Sequence, residues 1–222
     1  MINNDFLNGI FVGFIQTIVG HPLDTYKVLM QTSSVKNNNL TLLRLYRGLS
    51  APLFGSCVFN SMQFGVHEYF VGRNQSHFVS GFLGGAISSV VIVPVDMYKI
   101  NSQMLNWRAL NMFRGINITI LRESISTGIY FETYFGGMKH FDNYFRPYSA
   151  FIFGGFSGVF SWLITYPLDT IKTRIMSYTA DNIYCAFRMG RLWNGLNFCL
   201  LRAFLVNGIG FTMYSFLDRR DV

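Results

Sequence analysis

Aspartate and lysine recur together in three copies of one short motif, Pro-x-Asp-x-x-Lys. The copies begin at Pro22, Pro94 and Pro167, which are 72 and 73 residues apart. Their ionisable side chains are Asp24, Lys27, Asp96, Lys99, Asp169 and Lys172. Residues three apart on one helix can pair locally, but local pairing does not explain why every copy follows a proline at the same depth. Ionisable groups at membrane depth are costly unless they face water or one another, so we expect these six to do so.

A second set of candidate residues lies after the motifs. Each motif is followed by a glycine, at Gly48, Gly115 or Gly195, and the residues seven positions after these glycines are Gly55, Arg122 and Arg202. Equal offsets place them at one level, and guanidinium groups there can bind carboxylate or phosphate, while Glu123 can receive an ammonium group. The competing interpretation is a plain Arg122–Glu123 ion pair, although adjacent helical residues do not face each other well. We predict a substrate site formed by Gly55, Ser56, Arg122, Glu123 and Arg202.

Six apolar stretches position these residues. They are 6–21, 78–95 and 149–168, which lead into the motifs, and 49–71, 116–138 and 196–217, which follow the glycine elements. Each is about the length of a bilayer crossing. Half of the chain is hydrophobic and 13% is charged, whereas soluble domains carry about 25% charged residues. The sequence therefore predicts an all-α membrane protein with six transmembrane helices in three pseudo-symmetric repeats, 1–73, 74–144 and 145–222. Glycine pairs spaced by four residues predict close helix packing: Gly9/Gly13, Gly81/Gly85 and Gly154/Gly158.

The composition also argues against several classes of function. The chain has a net charge of +7 but no run of Lys and Arg, so we expect no nucleic acid polymer as a partner. The three cysteines form no Cys-x-x-Cys pair and the four histidines are scattered, so we expect no metal site and no cofactor. Neither a nucleophile–base constellation nor a P-loop is present. We therefore expect a non-enzyme that is driven by gradients or counter-exchange.

These features resemble the mitochondrial carrier family over essentially the whole chain. The motif is followed by an aromatic-basic-Gly element at Tyr46-Arg47-Gly48 and Phe113-Arg114-Gly115, and in the third copy, Trp193-Asn194-Gly195, asparagine replaces the base. The resemblance implies three helix pairs around a central, water-filled cavity in the mitochondrial inner membrane, with two gates that open alternately. The partners we expect are a small solute and membrane lipid, with cardiolipin phosphates at the glycine elements, and we expect a monomer. Simple interfacial anchoring by the three aromatic residues is the equal alternative to a lipid site.

The resemblance also implies where the two gates lie. On the matrix side it pairs Asp24 with Lys99, Asp96 with Lys172, and Asp169 with Lys27, and it places Gln31 and Gln103 as braces of two pairs. On the cytoplasmic side the family's ion-pair pattern is incomplete, which leaves Glu68, Tyr134 and Tyr214 as the gate residues. We therefore expect a resting state that is open to the cytoplasmic side. The second basic residue of the signature is kept as Arg174 and replaced by Leu29 and Asn101.

The residues around the arginines are similar to the branch that carries basic amino acids, ornithine and carnitine. The similarity lies in Leu121-Arg122-Glu123-Ser124 and Leu201-Arg202-Ala203-Phe204. It implies counter-exchange of an amino-acid-like or carnitine-like metabolite, although Gly55 and Ser56 offer no acid to a dibasic side chain. The alternative is a nucleotide or deoxynucleotide carrier, in which the arginines suit phosphates but Glu123 repels them. A non-transporting membrane protein is a third class, and the three complete Asp–Lys motifs argue against it.

Overall fold

The computed structural model describes residues 2–32, 45–104, 111–140, 146–203 and 206, and these residues form helices and turns without a strand. The helices are α1 (Ile2–Gln31), α2 (Ser50–Val71), α3 (His77–Met104), α4 (Ile116–His140), α5 (Arg146–Met176) and α6 (Ile183–Arg188). A further helix, α7, is described over 196–203. The all-α prediction is confirmed for the described residues, and most of the last predicted span, 196–217, lies outside them.

The three helices that carry the motifs are longer than the apolar stretches that predict them. Helices α1, α3 and α5 have 30, 28 and 31 residues, with Pro22, Pro94 and Pro167 in their interiors. At 1.5 Å per residue they are about 42–47 Å long, against about 30 Å of bilayer hydrocarbon. Each apolar stretch ends at the charged motif. The helix continues through the motif because the motif side chains have partners on neighbouring helices.

The aromatic-basic-Gly elements form three equivalent turns. Gly48, Gly115 and Gly195 have φ angles of 83°, 79° and 88°, a left-handed conformation that glycine adopts without strain. Helices α2, α4 and α7 begin one or two residues later. The three glycines pack against the C-terminal parts of α3, α5 and α1 respectively, close to Lys99, Ile175 and Lys27. The turns therefore link the motif helices in a cyclic order.

Helix packing is closest between elements that follow one another in the chain. The largest interfaces join α2 to α3, α3 to α4 and α4 to α5, while α1, α3 and α5 also meet one another. A Cβ added at Gly81 of α3 would lie 2.7 Å from the carbonyl oxygen of Thr127, and one at Gly85 would collide with the carbonyl oxygen of Glu123. The predicted small-residue packing face is thus confirmed on α3. A Cβ at Gly158 of α5 would meet nothing within 4 Å. The surroundings of Gly9, Gly13 and Gly154 lie outside the part of the structure that is described.

Individual hydropathy gives a weaker signal for membrane crossing than the repeat does. Within the described parts of the chain, α3 is the one helix long and apolar enough to cross a bilayer, with a mean hydropathy of 2.0 over 18 residues. Helix α4, by contrast, carries Arg122, Glu123, Glu132 and Lys139. Charges that serve the cavity lower the hydropathy of the helices that carry them, so the prediction of six crossings depends on the repeated motif.

Candidate functional site: a charged cavity

A cavity lies where α1, α3 and α5 converge, with further walls from α2, α4 and α7. Its volume is about 280 Å³. Both sets of predicted ionisable residues line it: the six motif side chains together with Arg122, Glu123 and Arg202. In the part of the chain that the structure describes, no group of three or more His, Cys, Asp or Glu side chains is placed to hold a metal ion. Nine of the side chains that line the cavity are charged, so ion pairing between them is possible.

The motif charges form three ion pairs between helices. The carboxylate of Asp24 lies 2.5 Å from Lys99 Nζ, that of Asp96 lies 2.6 Å from Lys172 Nζ, and that of Asp169 lies 2.6 Å from Lys27 Nζ. Each pair joins two of the helices α1, α3 and α5, so the pairs close a ring in the same cyclic order as the glycine turns. These are the partners that the family resemblance implied, and the local pairs within one helix are not formed.

Arg122, Glu123 and Arg202 attach to this ring. Arg202 Nε lies 2.8 Å from the second oxygen of Asp24, and Arg122 Nε lies 3.6 Å from the second oxygen of Asp169. Glu123 Oε1 accepts a hydrogen bond of 3.1 Å from Lys172 Nζ. Each ring pair therefore has one further charged partner, which is an arginine on two of the acids and a glutamate on one of the lysines.

Arg122 and Glu123 also pair with each other. Arg122 Nη1 donates a hydrogen bond of 2.6 Å to Glu123 Oε2, and both side chains are buried. The expectation that these adjacent residues would face each other poorly is wrong. Asp169 and Lys172 lie in the same cavity, and each attracts one member of the pair into it. The ion pair and the contact with the cavity coexist.

Trp162, which the motif spacing alone did not identify, places its ring close to two of the cations. Lys27 Nζ lies 4.2 Å and the Arg122 guanidinium 4.4 Å from the centre of the ring, distances at which a cation is attracted to an aromatic face. Trp162 precedes Asp169 by seven residues, or two helical turns, so the two share a face of α5. That spacing was the signal that would have identified it.

The two glutamines predicted as braces behave differently. Gln31 Nε2 donates to Asp169 at 2.8 Å, next to the Asp169–Lys27 pair. Gln103 Nε2 instead donates to the hydroxyl of Thr25 at 3.0 Å. The expected contact of Gln103 with an ion pair is therefore corrected. Asp24, the carboxylate beside Thr25, already binds Lys99 with one oxygen and Arg202 with the other.

Arg174 is the residue that keeps the second basic position of the motif, and it connects the end of α5 to α1 and α6. It is buried, and it donates hydrogen bonds to the carbonyl oxygens of Gln31 at 2.9 Å and Ala186 at 2.8 Å. Asn101, at the equivalent motif position of α3, reaches the carbonyl of Met176 at 3.4 Å. Leu29 is buried at the third equivalent position and has no donor to offer. Asn101 and Leu29, which replace the base in the other two copies, are thus both buried near the ends of their motif helices.

Among the described residues, Gly55 is a predicted substrate contact that does not line the cavity. A Cβ at Gly55 would lie 2.6 Å from a methyl carbon of Val95, so Gly55 lets α2 approach α3. Val95 itself lines the cavity. The side chain of Ser56 lies outside the described residues. Gly55 is therefore a close helix packing position, and its contact with the solute stays a prediction.

The end of the bundle formed by the 72–76 turn is rich in stacked rings. His67 is buried, with its ring 3.9 Å from that of Phe131 and its Nε2 3.4 Å from Nδ1 of His77. Of the residues predicted for the cytoplasmic gate, Glu68 is exposed and Tyr134 stacks on Tyr130. Tyr214 lies outside the described residues. At this end, therefore, a ring cluster occupies the space between α2, α3 and α4.

The glycine elements expected to bind lipid present exposed aromatic rings. Tyr46, Phe113 and Trp193 are 41%, 50% and 53% exposed. Arg114 is turned inward, where it donates to the carbonyl oxygens of Ile175 at 2.8 Å and Ala180 at 3.0 Å. This arginine holds the end of α5, while the rings face outward.

Comparison with known proteins gives one family and several similar relatives. The family described as "Mitochondrial carrier protein" matches residues 2–73 and 143–220. The mitochondrial arginine transporter BAC2 of Arabidopsis thaliana is 30% identical, with 95% of this chain and 89% of the relative covered. The mitochondrial basic amino acids transporter of Bos taurus is 32% identical, over 93% and 88%. The mitochondrial glycine transporter YMC1 of Saccharomyces cerevisiae is 28% identical, over 97% and 90%.

Proposed function

Because the chain belongs to the mitochondrial carrier protein family, we propose that it exchanges an amino-acid-like solute across the mitochondrial inner membrane. The observation that carries this proposal is that Arg122, Glu123 and Arg202 line one cavity. Two guanidinium groups and one carboxylate match the carboxylate and the ammonium group of an amino acid. The printed names of the relatives, which include arginine, basic amino acids and glycine, agree with this solute class.

The architecture behind this function is six transmembrane helices in three repeats, 1–73, 74–144 and 145–222. The cyclic contacts of the glycine turns and the cyclic ion pairs support it, since both use equivalent positions of α1, α3 and α5. The protein works as a monomer, because its cavity is formed within one chain. Anionic lipid such as cardiolipin adjoins the exposed rings of the glycine turns.

We propose that the ring of Asp–Lys pairs is the matrix gate, and the three formed ion pairs support this role. Closing it joins α1, α3 and α5 directly, and opening it requires the three pairs to separate. The opposite gate uses ring stacking and polar contacts near Glu68, Tyr134 and Tyr214 in place of complete ion pairs. Alternating access follows from opening one end while the other is closed, with the solute bound at Arg122, Glu123 and Arg202 between them.

Uptake into liposomes tests this function. The purified protein is reconstituted into liposomes preloaded with amino acids, carnitine esters or nucleotides, and uptake of the labelled solute is measured. We expect uptake that depends on an internal amino-acid-like solute and that is lost in Arg202→Gln. Arg73→Gln is the matched control, since Arg73 stacks on Tyr69 beyond the end of α2. Exchange of nucleotides without exchange of any amino acid or carnitine ester would contradict the proposal.

A further inference from the structure

Two cations of the cavity share one carboxylate of α5. Lys27 Nζ lies 2.6 Å from one oxygen of Asp169, and Arg122 Nε lies 3.6 Å from the other. Arg122 also pairs with Glu123, but that carboxylate accepts a second hydrogen bond from Lys172. Among the described residues, therefore, neither Lys27 nor Arg122 has a carboxylate to itself. Both side chains are buried, where like charges repel each other more strongly than they do in water.

The ring of Trp162 is an uncharged partner that these two cations have in common. Lys27 Nζ lies 4.2 Å and the Arg122 guanidinium carbon 4.4 Å from the centre of the ring. Tryptophan is the aromatic side chain that attracts cations most strongly, and the attraction increases when the cation has lost its hydration. Because Trp162 and Asp169 lie two turns apart on α5, the two cations meet a ring and a carboxylate of the same helix.

The ring attracts Arg122 without using its hydrogen-bond donors. Among the described residues, Nη1 is the one nitrogen of Arg122 that donates a hydrogen bond, to Glu123 Oε2, while Nε has no acceptor. Cation–π attraction acts on the guanidinium group as a whole and needs no acceptor atom. Since Arg122 lines the cavity, a carboxylate that enters the cavity meets a guanidinium group whose donors are not all in use.

Lys27 lies beside two rings on one face of α5. Trp162 and Tyr166 are about one helical turn apart, and the centre of the Tyr166 ring is 5.5 Å from Lys27 Nζ. The hydroxyl of Tyr166 donates to the carbonyl oxygen of Asn194 at 2.9 Å, which fixes the position of that ring. The rings shield the ion pair of Lys27 with Asp169 from water, and an ion pair is stronger where water is excluded.

We propose that Trp162 is a positioning residue of the transport site, which orients Arg122 for the carboxylate of the solute and Lys27 for the gate pair. The proposal rests on the proposed function, in which Arg122 meets that carboxylate. The ring acts through the electrostatic attraction between its face and the two cations. A guanidinium group that is already oriented loses less freedom when the solute binds, so the affinity for the solute is higher. Weakening the attraction should therefore raise KM.

Fluorinated tryptophans test the electrostatic part of this role. Fluorine atoms withdraw electrons from the ring face and weaken its attraction for cations, with little change in the shape of the ring. Analogues with one, two and three fluorine atoms are placed at position 162 alone by stop-codon suppression, and KM is measured for amino acid exchange in liposomes. We expect KM to rise with each fluorine atom and to be about tenfold higher in the trifluoro form. The same KM in all forms would overturn the proposal and leave the proposed function intact.

Trp193 provides the matched control. Its ring stacks on that of Tyr166 and is 53% exposed, and no lysine or arginine of the described residues lies over it. The same analogues at position 193 should leave KM unchanged, and an equal rise at both positions would refute the proposal. If the unsubstituted chain exchanges nucleotides and no amino-acid-like solute, the proposed function fails. The KM series with the nucleotide then decides whether Trp162 orients Arg122 for a phosphate.

Two substitutions separate the ring face from the volume of the side chain. Trp162→Phe keeps a smaller aromatic face, and Trp162→Met fills space without one. We expect KM for amino acid exchange to rise about threefold in Trp162→Phe and about tenfold in Trp162→Met. Equal KM values in the two variants would show that the ring face does not position Arg122 and would contradict the proposal.

Discussion

Exchanging the charges of Asp24 and Lys99 separates pairing between helices from pairing within one helix. The two side chains are 14% and 17% exposed. Removing one partner of a buried ion pair costs about 3–5 kcal/mol, and the partial exposure favours the lower end, about 3 kcal/mol. For a chain of this size, each kcal/mol lowers the melting temperature by about 2–4 °C. Asp24→Lys should therefore lower it by at least about 6 °C.

The double variant Asp24→Lys with Lys99→Asp restores an ion pair with the two charges reversed. It should recover less than half of the lost melting temperature. The new lysine stands where Asp24 is 2.8 Å from Arg202. Two like charges about 4 Å apart repel by about 4 kcal/mol at an effective dielectric constant of 20. Adding Arg202→Gln removes this repulsion and should recover most of the melting temperature. Solute exchange stays lost in the triple variant, because Arg202 belongs to the proposed substrate site.

The assay is the melting temperature of the purified protein in detergent, followed by exchange in liposomes. The control is Asp24→Lys with Lys27→Asp, which makes the same exchange of charges within α1. Because Lys27 binds Asp169 at 2.6 Å, this control creates a second repulsion and should lower the melting temperature further. If the control recovers stability as well as the exchange between helices does, the ring is not what holds the motif helices together.

Three further substitutions test the substrate site and the packing around it. Glu123→Gln should reduce amino acid exchange in liposomes by about 100-fold, since truncating a desolvated charge partner costs about 2–5 kcal/mol. Unchanged amino acid exchange would show that Glu123 does not receive the ammonium group, and intact or improved nucleotide uptake would argue for a phosphorylated anion. Arg174→Leu removes buried charged hydrogen bonds to α1 and α6, each of which contributes about 1.5–3 kcal/mol, so the melting temperature should fall by at least about 6 °C. Gly85→Val should prevent accumulation of folded protein, measured by size-exclusion chromatography, because its Cβ would collide with α4. Gly158→Val is the matched control, and similar damage in both would show that close approach at Gly85 is not the cause.

The parts of the fold and site that follow the repeat could be predicted from the sequence. Equal spacing places Asp24, Asp96 and Asp169 at one level, and the ring pairs of the structure use that level. The same spacing puts Arg122 and Arg202 beside the ring. Because equivalent positions in a repeated chain face one common axis, the sequence positions alone determine which residues meet.

The parts that depart from the repeat could not be predicted in this way. Gln103 contacts Thr25 instead of an ion pair because Arg202 supplies the second partner of Asp24. The Trp162 ring lies close to both Lys27 and Arg122, and no tryptophan stands at the matching places of α1 or α3, where Thr17 and Ser89 are found. Such contacts depend on neighbours from different parts of the chain, so a motif that is read one copy at a time does not reveal them.

The charged residues attached to the ring depart from the three-fold symmetry of the repeats. The ring itself is neutral, with three acids and three lysines, so any polarity of the cavity comes from the residues attached to it. Those residues are two arginines and one glutamate, and the third arginine place is taken by Gly55. A fully symmetric set of three arginines would suit a solute with several negative charges at equivalent distances. With Gly55 at the third arginine place and Glu123 beside Lys172, the cavity offers both cationic and anionic side chains, as the proposed amino-acid-like solute requires.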